Sequence, residues 1–229
     1  MFELKMLVEI LLFFIAVIIG CKYYATRFYS HGKCSTMLIL GSGNLFIYVI
    51  LSILGGHTAE LLSYVPLLPQ SYSPKVYIVA STDNLSAKKA IEIETKCHRN
   101  DYLIEEIPRA REVGQSLFSS IFTTFYAFIF AVVLVFKHQP QLVLCNGPGT
   151  CVPVCFVTRL LHLICNVGPC VSGCEGRRTA VVFVESVCRT RSLSLSGRLL
   201  YHLRLAKVIV QWPLLLESYP RAQYLGLLS

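Results

Sequence analysis

Acidic side chains are scarce in this chain. Asp and Glu number 13 against 21 Lys and Arg, a formal charge of +8, and all charged residues together make up only 15%. With 54% apolar residues, that is rich for a soluble protein and points to a membrane connection. The positive excess suits an anionic surface or a phosphate-bearing ligand. Nucleic acid fits less well, because the basic residues are scattered and no basic strip interleaved with aromatics occurs. A CxxC pair is also missing. The 10 cysteines sit in apolar runs (Cys145, Cys155, Cys188) or at irregular spacings. Cys151/Cys155 and Cys170/Cys174 are CxxxC pairs with His162 nearby, yet buried or unpaired reduced thiols are expected there rather than zinc. No metal and no cofactor is expected. A complete GxGxxG fingerprint is absent too, since Phe46 stands where its last glycine belongs, and no Tyr-x-x-x-Lys pair follows the strand pattern, Tyr29 and Lys33 lying ahead of it.

What is present starts with an apolar segment. Met6 to Gly20 is interrupted by one charge, Glu9, and Phe2 to Tyr24 supplies roughly the 20 residues a spanning helix needs. A cleaved signal peptide competes with this reading, but the flanks are not basic enough and no A-x-A site precedes Tyr23. An uncleaved transmembrane anchor over residues 1–24 is therefore expected, followed by a juxtamembrane linker at 25–35. Lys22, Arg27 and Lys33 on its carboxyl side place the remainder in the cytosol.

From Ser35 the pattern becomes short apolar runs that end in small or polar residues. Thr36–Leu40, Lys75–Ala80, Gln141–Cys145, Thr179–Val184 and Lys207–Val210 read as strands. Helical patterns, for instance Ser81–Lys96 and Ser194–Leu205, fill the gaps. Strands alternating with helices predict an α/β fold with a parallel sheet over residues 36–229. The uncharged run Ser116–Phe136 has the length of a second span. A second span would put Gly41 and His57 in a different compartment from Asn146, so a helix buried under the sheet or lying partly in the membrane surface is expected instead.

The central feature is Gln141–Pro153, QLVLCNGPGTCVP, a buried strand emptying into a loop of phosphate size. Gly147 and Gly149 let backbone N–H groups approach an anion, and a helix starting near Val152 would turn its positive end to the same point. Gly41-Ser42-Gly43 and Gly55-Gly56-His57-Thr58-Ala59-Glu60 offer related chemistry, with Thr58 and Glu60 at a helix start.

Together with VFVES at 182–186, SLSLSG at 192–197, VQWP at 210–213 and YLG at 224–226, these motifs resemble a known family. It is the membrane-anchoring subunit of the UDP-N-acetylglucosamine transferase that adds the second GlcNAc to dolichol diphosphate-GlcNAc at the endoplasmic reticulum. The resemblance covers almost the whole chain after the anchor. It implies a Rossmann-like sheet, the amino-terminal, acceptor-side half of a GT-B glycosyltransferase, similar to half of the bacterial peptidoglycan GlcNAc transferase. A separate cytosolic catalytic subunit is implied to bind most of the UDP-GlcNAc, so the chain is a non-autonomous subunit at the cytosolic face of the membrane. Two stretches depart from the family's pattern. Asn44 to Gly55 divides what resembles a continuous GSGGHT loop, and Cys165 to Arg177 exceeds the expected strand approach.

Chain length agrees with half an enzyme. Without the anchor about 200 residues remain, enough for one doubly wound domain and short for two. The reaction needs a base near the acceptor hydroxyl and donors for diphosphate. His57 is the first candidate base, with helix capping or phosphate binding as its other reading; Glu185 is the rival, with a buried carboxylate held by N–H groups as the bland reading. Gly41, Ser42, Gly43, Gly56, Thr58, Asn146, Gly147, Gly149, Thr150 and Ser186 are expected to hold the acceptor or its phosphates. Arg189, Arg191 and Arg198 are either solvated or phosphate-pairing. Tyr224, Leu225, Gly226, Leu227 and Leu228 form a tail that either packs on its own domain or docks on the catalytic subunit. The alternative is a stand-alone membrane-bound nucleotide- or phospholipid-binding enzyme such as a reductase, which would want a complete GxGxxG and a Tyr-x-x-x-Lys pair after the central strands and finds neither there. A scaffold without ligand would leave the NGPGT loop without purpose.

Overall fold

The computed structural model describes residues 36–40, 57–110, 117–147, 149–165 and 179–227. The expected anchor at 1–24, the linker at 25–35 and the insertion at 44–55 lie outside them, as does the second insertion beyond Cys165.

The apolar runs of the sequence form β1 (Thr36–Ile39), β2 (Lys75–Ala80), β4 (Leu142–Asn146), β5 (Ala180–Val184) and β6 (Lys207–Val210). β3 (Tyr102–Ile107) and β7 (Gln223–Tyr224) extend the sheet at its two edges. The strands pair in parallel in the order β3-β2-β1-β4-β5-β6-β7. The chain between them forms α1 (His57–Ser63), α2 (Asn84–Lys96), α3 (Leu117–His138), α4 (Cys151–Cys165), α5 (Leu195–His202) and α6 (Leu215–Ser218).

Strand side chains alternate between two buried faces, which is why the runs are apolar throughout. Met37, Ile39, Val143, Cys145, Val181 and Phe183 pack against α3, α4 and α5. Leu38, Leu40, Tyr77, Val79 and Leu144 pack against α1 and α2. One ion pair is built into the second face. Lys75 Nζ lies 3.0 Å from Glu94 Oε1 with both residues buried, and the Tyr77 hydroxyl donates to the same carboxylate. Burial and the neighbouring carboxylate hold the Tyr77 phenol well above its ordinary range, so it stays a donor.

α2 begins three residues later than the pattern suggested. Asp83 is its N-cap: one carboxylate oxygen accepts from the Ser86 N–H at 3.1 Å and the other from the Ser86 hydroxyl at 2.6 Å.

The apolar run at 116–136 becomes α3 and crosses between β3 and β4. Ala127, Ala131, Leu134 and Val135 bury one side of it in the core. Phe122, Phe125, Tyr126, Ile129, Phe130 and Val133 stand on the opposite side and are exposed, Phe122 to 67% and Phe125 to 66%. Their spacing of three and four makes a continuous apolar face. Its last turn is tied to β3 by Lys137 and His138, which lie 2.7 and 3.0 Å from Glu105 Oε1. Among the described residues no helix is long and apolar enough to cross a membrane.

The chain after β6 folds back on its own domain. Trp212 Nε1 donates to the Val187 carbonyl at 2.7 Å, and the Tyr219 ring meets Tyr201 of α5 edge-on at 5.3 Å between centroids. The Arg221 guanidinium lies 4.3 Å above the same Tyr201 ring. β7 then adds one short edge strand, beyond which Leu225 and Leu227 are exposed. The tail thus has two parts, a packed one up to Ala222 and an uncovered one from Gln223 to Leu227.

Candidate functional site

The order of the sheet reverses between β1 and β4, since β2 and β3 continue toward one edge and β5, β6 and β7 toward the other. Strand carboxyl ends at such a reversal open a crevice. Asn146 is the last residue of β4, Ser186 follows β5 by two positions, and His57 opens α1.

These residues meet through hydrogen bonds. His57 Nδ1 lies 3.0 Å from Asn146 Oδ1, and Asn146 Nδ2 donates to Glu60 Oε2 at 2.8 Å. The other carboxylate oxygen, Oε1, accepts from the Ser186 hydroxyl at 2.9 Å and from the Val187 N–H at 3.3 Å. His57 is half-buried, whereas Glu60, Asn146 and Ser186 are buried. One turn of helix sets the spacing, because positions three apart put His57 and Glu60 on the same side of α1.

Gly147 is required by geometry. Its φ of +69° lies in the left-handed region, and an added Cβ would sit 2.5 Å from Cε1 and Cγ of the His57 ring. Gly149 is exposed, and a Cβ there would meet nothing within 4 Å. Thr150, immediately before α4, is buried, and its hydroxyl has no hydrogen-bond partner among the described residues. Thr58 turns away from this loop; its hydroxyl lies 2.8 Å from that of Ser86. Gly41, Ser42, Gly43, Gly56 and Leu228 lie outside the described residues. The Cys145 and Cys155 sulfurs are 3.6 Å apart beneath the loop, and both residues are free and fully buried along with Cys151. A hydrogen bond with Cys151 pushes the Cys145 thiol up, one with Cys145 pushes Cys155 up, burial adds to both, and burial raises Cys151, so all three stay neutral.

Glu185 is fully buried and faces α5. Its Oε2 accepts from the Ser194 N–H at 2.8 Å and the Ser194 hydroxyl at 3.1 Å, while Oε1 accepts from the Ser186 N–H at 3.3 Å. Burial raises its carboxyl above the ordinary range. Ser194 in turn caps α5 by accepting from the Gly197 N–H at 3.0 Å. The carboxylate therefore holds the start of a helix. A Cβ on Gly197 would collide with Glu185 Oε2 and come within 3.1 Å of Phe183. Gly197→Ala is accordingly expected to destabilise the fold by about 1–3 kcal/mol, although alanine is the better helix former. Thermal unfolding of the purified variant checks this, and an unchanged or raised Tm would refute it.

Glu60 is the residue whose role sequence reasoning missed. It was visible only as an acid at a helix start, and its partners Asn146 and Ser186 stand 86 and 126 positions away.

Residues 47–228 match the family model described as oligosaccharide biosynthesis protein Alg14 like. The chain belongs to this family. A Rattus norvegicus member, named UDP-N-acetylglucosamine transferase subunit ALG14, is 46% identical over 179 residues, which is 75% of this chain and 78% of that one. The Yarrowia lipolytica protein of the same name is 39% identical over 201 residues, 86% of this chain and 82% of that one. The crystal structure of Acinetobacter baumannii MurG aligns with a TM-score of 0.53 at 16% identity, over 84% of this chain. The Alg14-like chain spans only 45% of the MurG chain. That likeness establishes the fold, a parallel α/β sheet like that of a GT-B glycosyltransferase. Membership in the Alg14-like family leaves the stand-alone reductase reading without support.

Proposed function

We propose that this chain is the membrane-side subunit of a UDP-N-acetylglucosamine transferase in N-glycan precursor synthesis. It holds a catalytic subunit at the cytosolic face of the endoplasmic reticulum and contributes the acceptor side of the cleft. The observation that carries the reading is one of extent: relatives named as transferase subunits match most of the chain, while the chain spans under half of a MurG chain. A partner must supply the donor half for UDP-GlcNAc.

In this reading His57 is the base for the acceptor hydroxyl and Glu185 a structural carboxylate, because His57 is half-buried at the crevice and Glu185 is enclosed. The amino end of α4, with Gly147, Gly149 and the Thr150 hydroxyl, which has no partner among the described residues, suits the acceptor diphosphate. Asn146 and Ser186 line the same crevice, and the exposed Arg189 and Arg191 follow β5. Gly41, Ser42, Gly43, Gly56 and Thr58 are, on the sequence pattern, further candidates to hold the acceptor or its phosphates. The exposed aromatic face of α3 suits the membrane surface, and the anchor at 1–24 would hold it there. Tyr224, Leu225, Gly226, Leu227 and Leu228 are the docking segment for the catalytic subunit, supported by the exposed Leu225 and Leu227 beyond a packed base.

Cells lacking the family's subunit, supplied with this chain, test the reading through chitobiosyl-lipid synthesis and recovery of the catalytic subunit. The chain is expected to restore both. Removing Leu225 to Ser229 is expected to abolish recovery while the chain stays in membranes. Recovery undiminished by that truncation sinks the docking role, and failure of the whole chain to recover a partner sinks the heteromeric one.

A further inference from the structure

The buried Glu60 carboxylate accepts three donors, from Asn146, Ser186 and Val187. With both carboxylate oxygens engaged as acceptors, the Asn146 amide turns its NH2 group toward Glu60 and its oxygen toward His57. An amide oxygen also only accepts. The His57 nitrogen at 3.0 Å, Nδ1, must then carry the proton, and the neutral ring keeps its lone pair on Nε2. Nε2 has no hydrogen-bond partner among the described residues. Ser186 and the Val187 N–H hold the second carboxylate oxygen at β5's end, so the relay rests on the sheet at one side and on α1 at the other.

We infer that Glu60 is a positioning residue that, through the Asn146 amide, fixes His57 as the Nδ1–H tautomer and so makes Nε2 the nitrogen that accepts the proton. This rests on the reading of His57 as the base. As the attacking hydroxyl oxygen bonds to the anomeric carbon, its proton passes to Nε2. The nucleoside diphosphate leaves with the electron pair of the bond it shared with that carbon. The imidazolium then presents Nδ1–H to an amide oxygen whose own NH2 is held by a carboxylate, which keeps the ring in its orientation through the transfer. Glu60 touches neither the substrate nor the transferred proton.

The test is a double-mutant cycle on the full chain assembled with its catalytic subunit, reading kcat and KM for the lipid-linked acceptor in Glu60→Gln, His57→Ala and the double variant. Glu60→Gln is expected to lower kcat at least about 10-fold with KM changed less than about 2-fold, and to cost less than about 2-fold when His57 is already alanine. An equal cost in both backgrounds overturns the positioning role and leaves His57 as base. His57→Ala within a few-fold of the unchanged complex removes the base reading itself. Should Glu60→Gln not assemble, Glu60→Asp, which keeps the charge but shortens the reach, enters the same cycle and is judged by the same non-additivity.

Discussion

Gly147→Ala is expected to lower GlcNAc transfer by about 10²–10⁴-fold, the range a positioned general base supplies. Two costs coincide at this residue. An alanine at φ +69° is strained by about 1–2 kcal/mol, and its methyl carbon occupies space the His57 ring holds. The ring must leave, which breaks its 3.0 Å contact with Asn146. Because the collision involves one side chain at the edge of the crevice, the sheet should persist and the catalytic subunit should still be recovered. Steady-state transfer by the recovered complex, set beside its Tm, checks both halves. Transfer within about 10-fold of the unchanged complex would show that His57 does not need its observed place.

Replacing Phe122, Phe125 and Val133 together by aspartate is expected to weaken liposome binding of a chain lacking residues 1–24 by at least about 100-fold. Each side chain stands exposed on the outer side of α3, so the substitutions disturb little of the core beneath. Moving a large apolar side chain out of water contributes about 1.5–3 kcal/mol, and three such losses exceed the roughly 2.7 kcal/mol that 100-fold represents. Co-sedimentation with liposomes measures it, with far-ultraviolet circular dichroism to confirm the helix. Binding that survives the triple substitution would assign membrane contact to another surface.

The strands at the middle of the sheet were legible because burial on both faces writes an unbroken apolar run. Lys75–Ala80 and Lys207–Val210 coincide with β2 and β6 to the residue. β3 was not legible, because YLIEEI sits at an edge and carries Glu105 and Glu106, one of which pairs with Lys137 and His138. β7, with 2 residues, is too short to leave a pattern. The boundary at α2 slipped because Ser81 and Thr82 look like helix caps as readily as Asp83 does, and only the hydrogen bonds to Ser86 decide among them.

The site was legible where composition is forced. Gly147 is a glycine because no other residue fits both its dihedral and the adjoining ring, and Asn146 and Ser186 fall where parallel sheets collect ligands. Roles set by long-range packing were not. Nothing near position 60 announces partners on β4 and beyond β5, and although a buried carboxylate held by N–H groups was one reading of Glu185, nothing near it announces Ser194 as the partner. Thr58 and Glu60 stand close together in sequence, yet one turns to Ser86 and the other to Asn146.

The reversal of strand order also dictates when in the life of the molecule its centre can exist. Thr36 of β1 pairs with Leu142 of β4, so β2, β3 and the helices beside them must be made before the two halves of the crevice can meet. Parallel pairing at such separation closes a long loop before any contact repays it, and this makes it an intrinsically slow step. During synthesis the wait is longer still, because Glu60 lacks its Ser186 partner until β5 has left the ribosome. Through that interval β1 presents an uncovered apolar edge, a state suited to chaperone capture and prone to aggregation. On the proposed function, acceptor chemistry is consequently confined to chains that have completed folding.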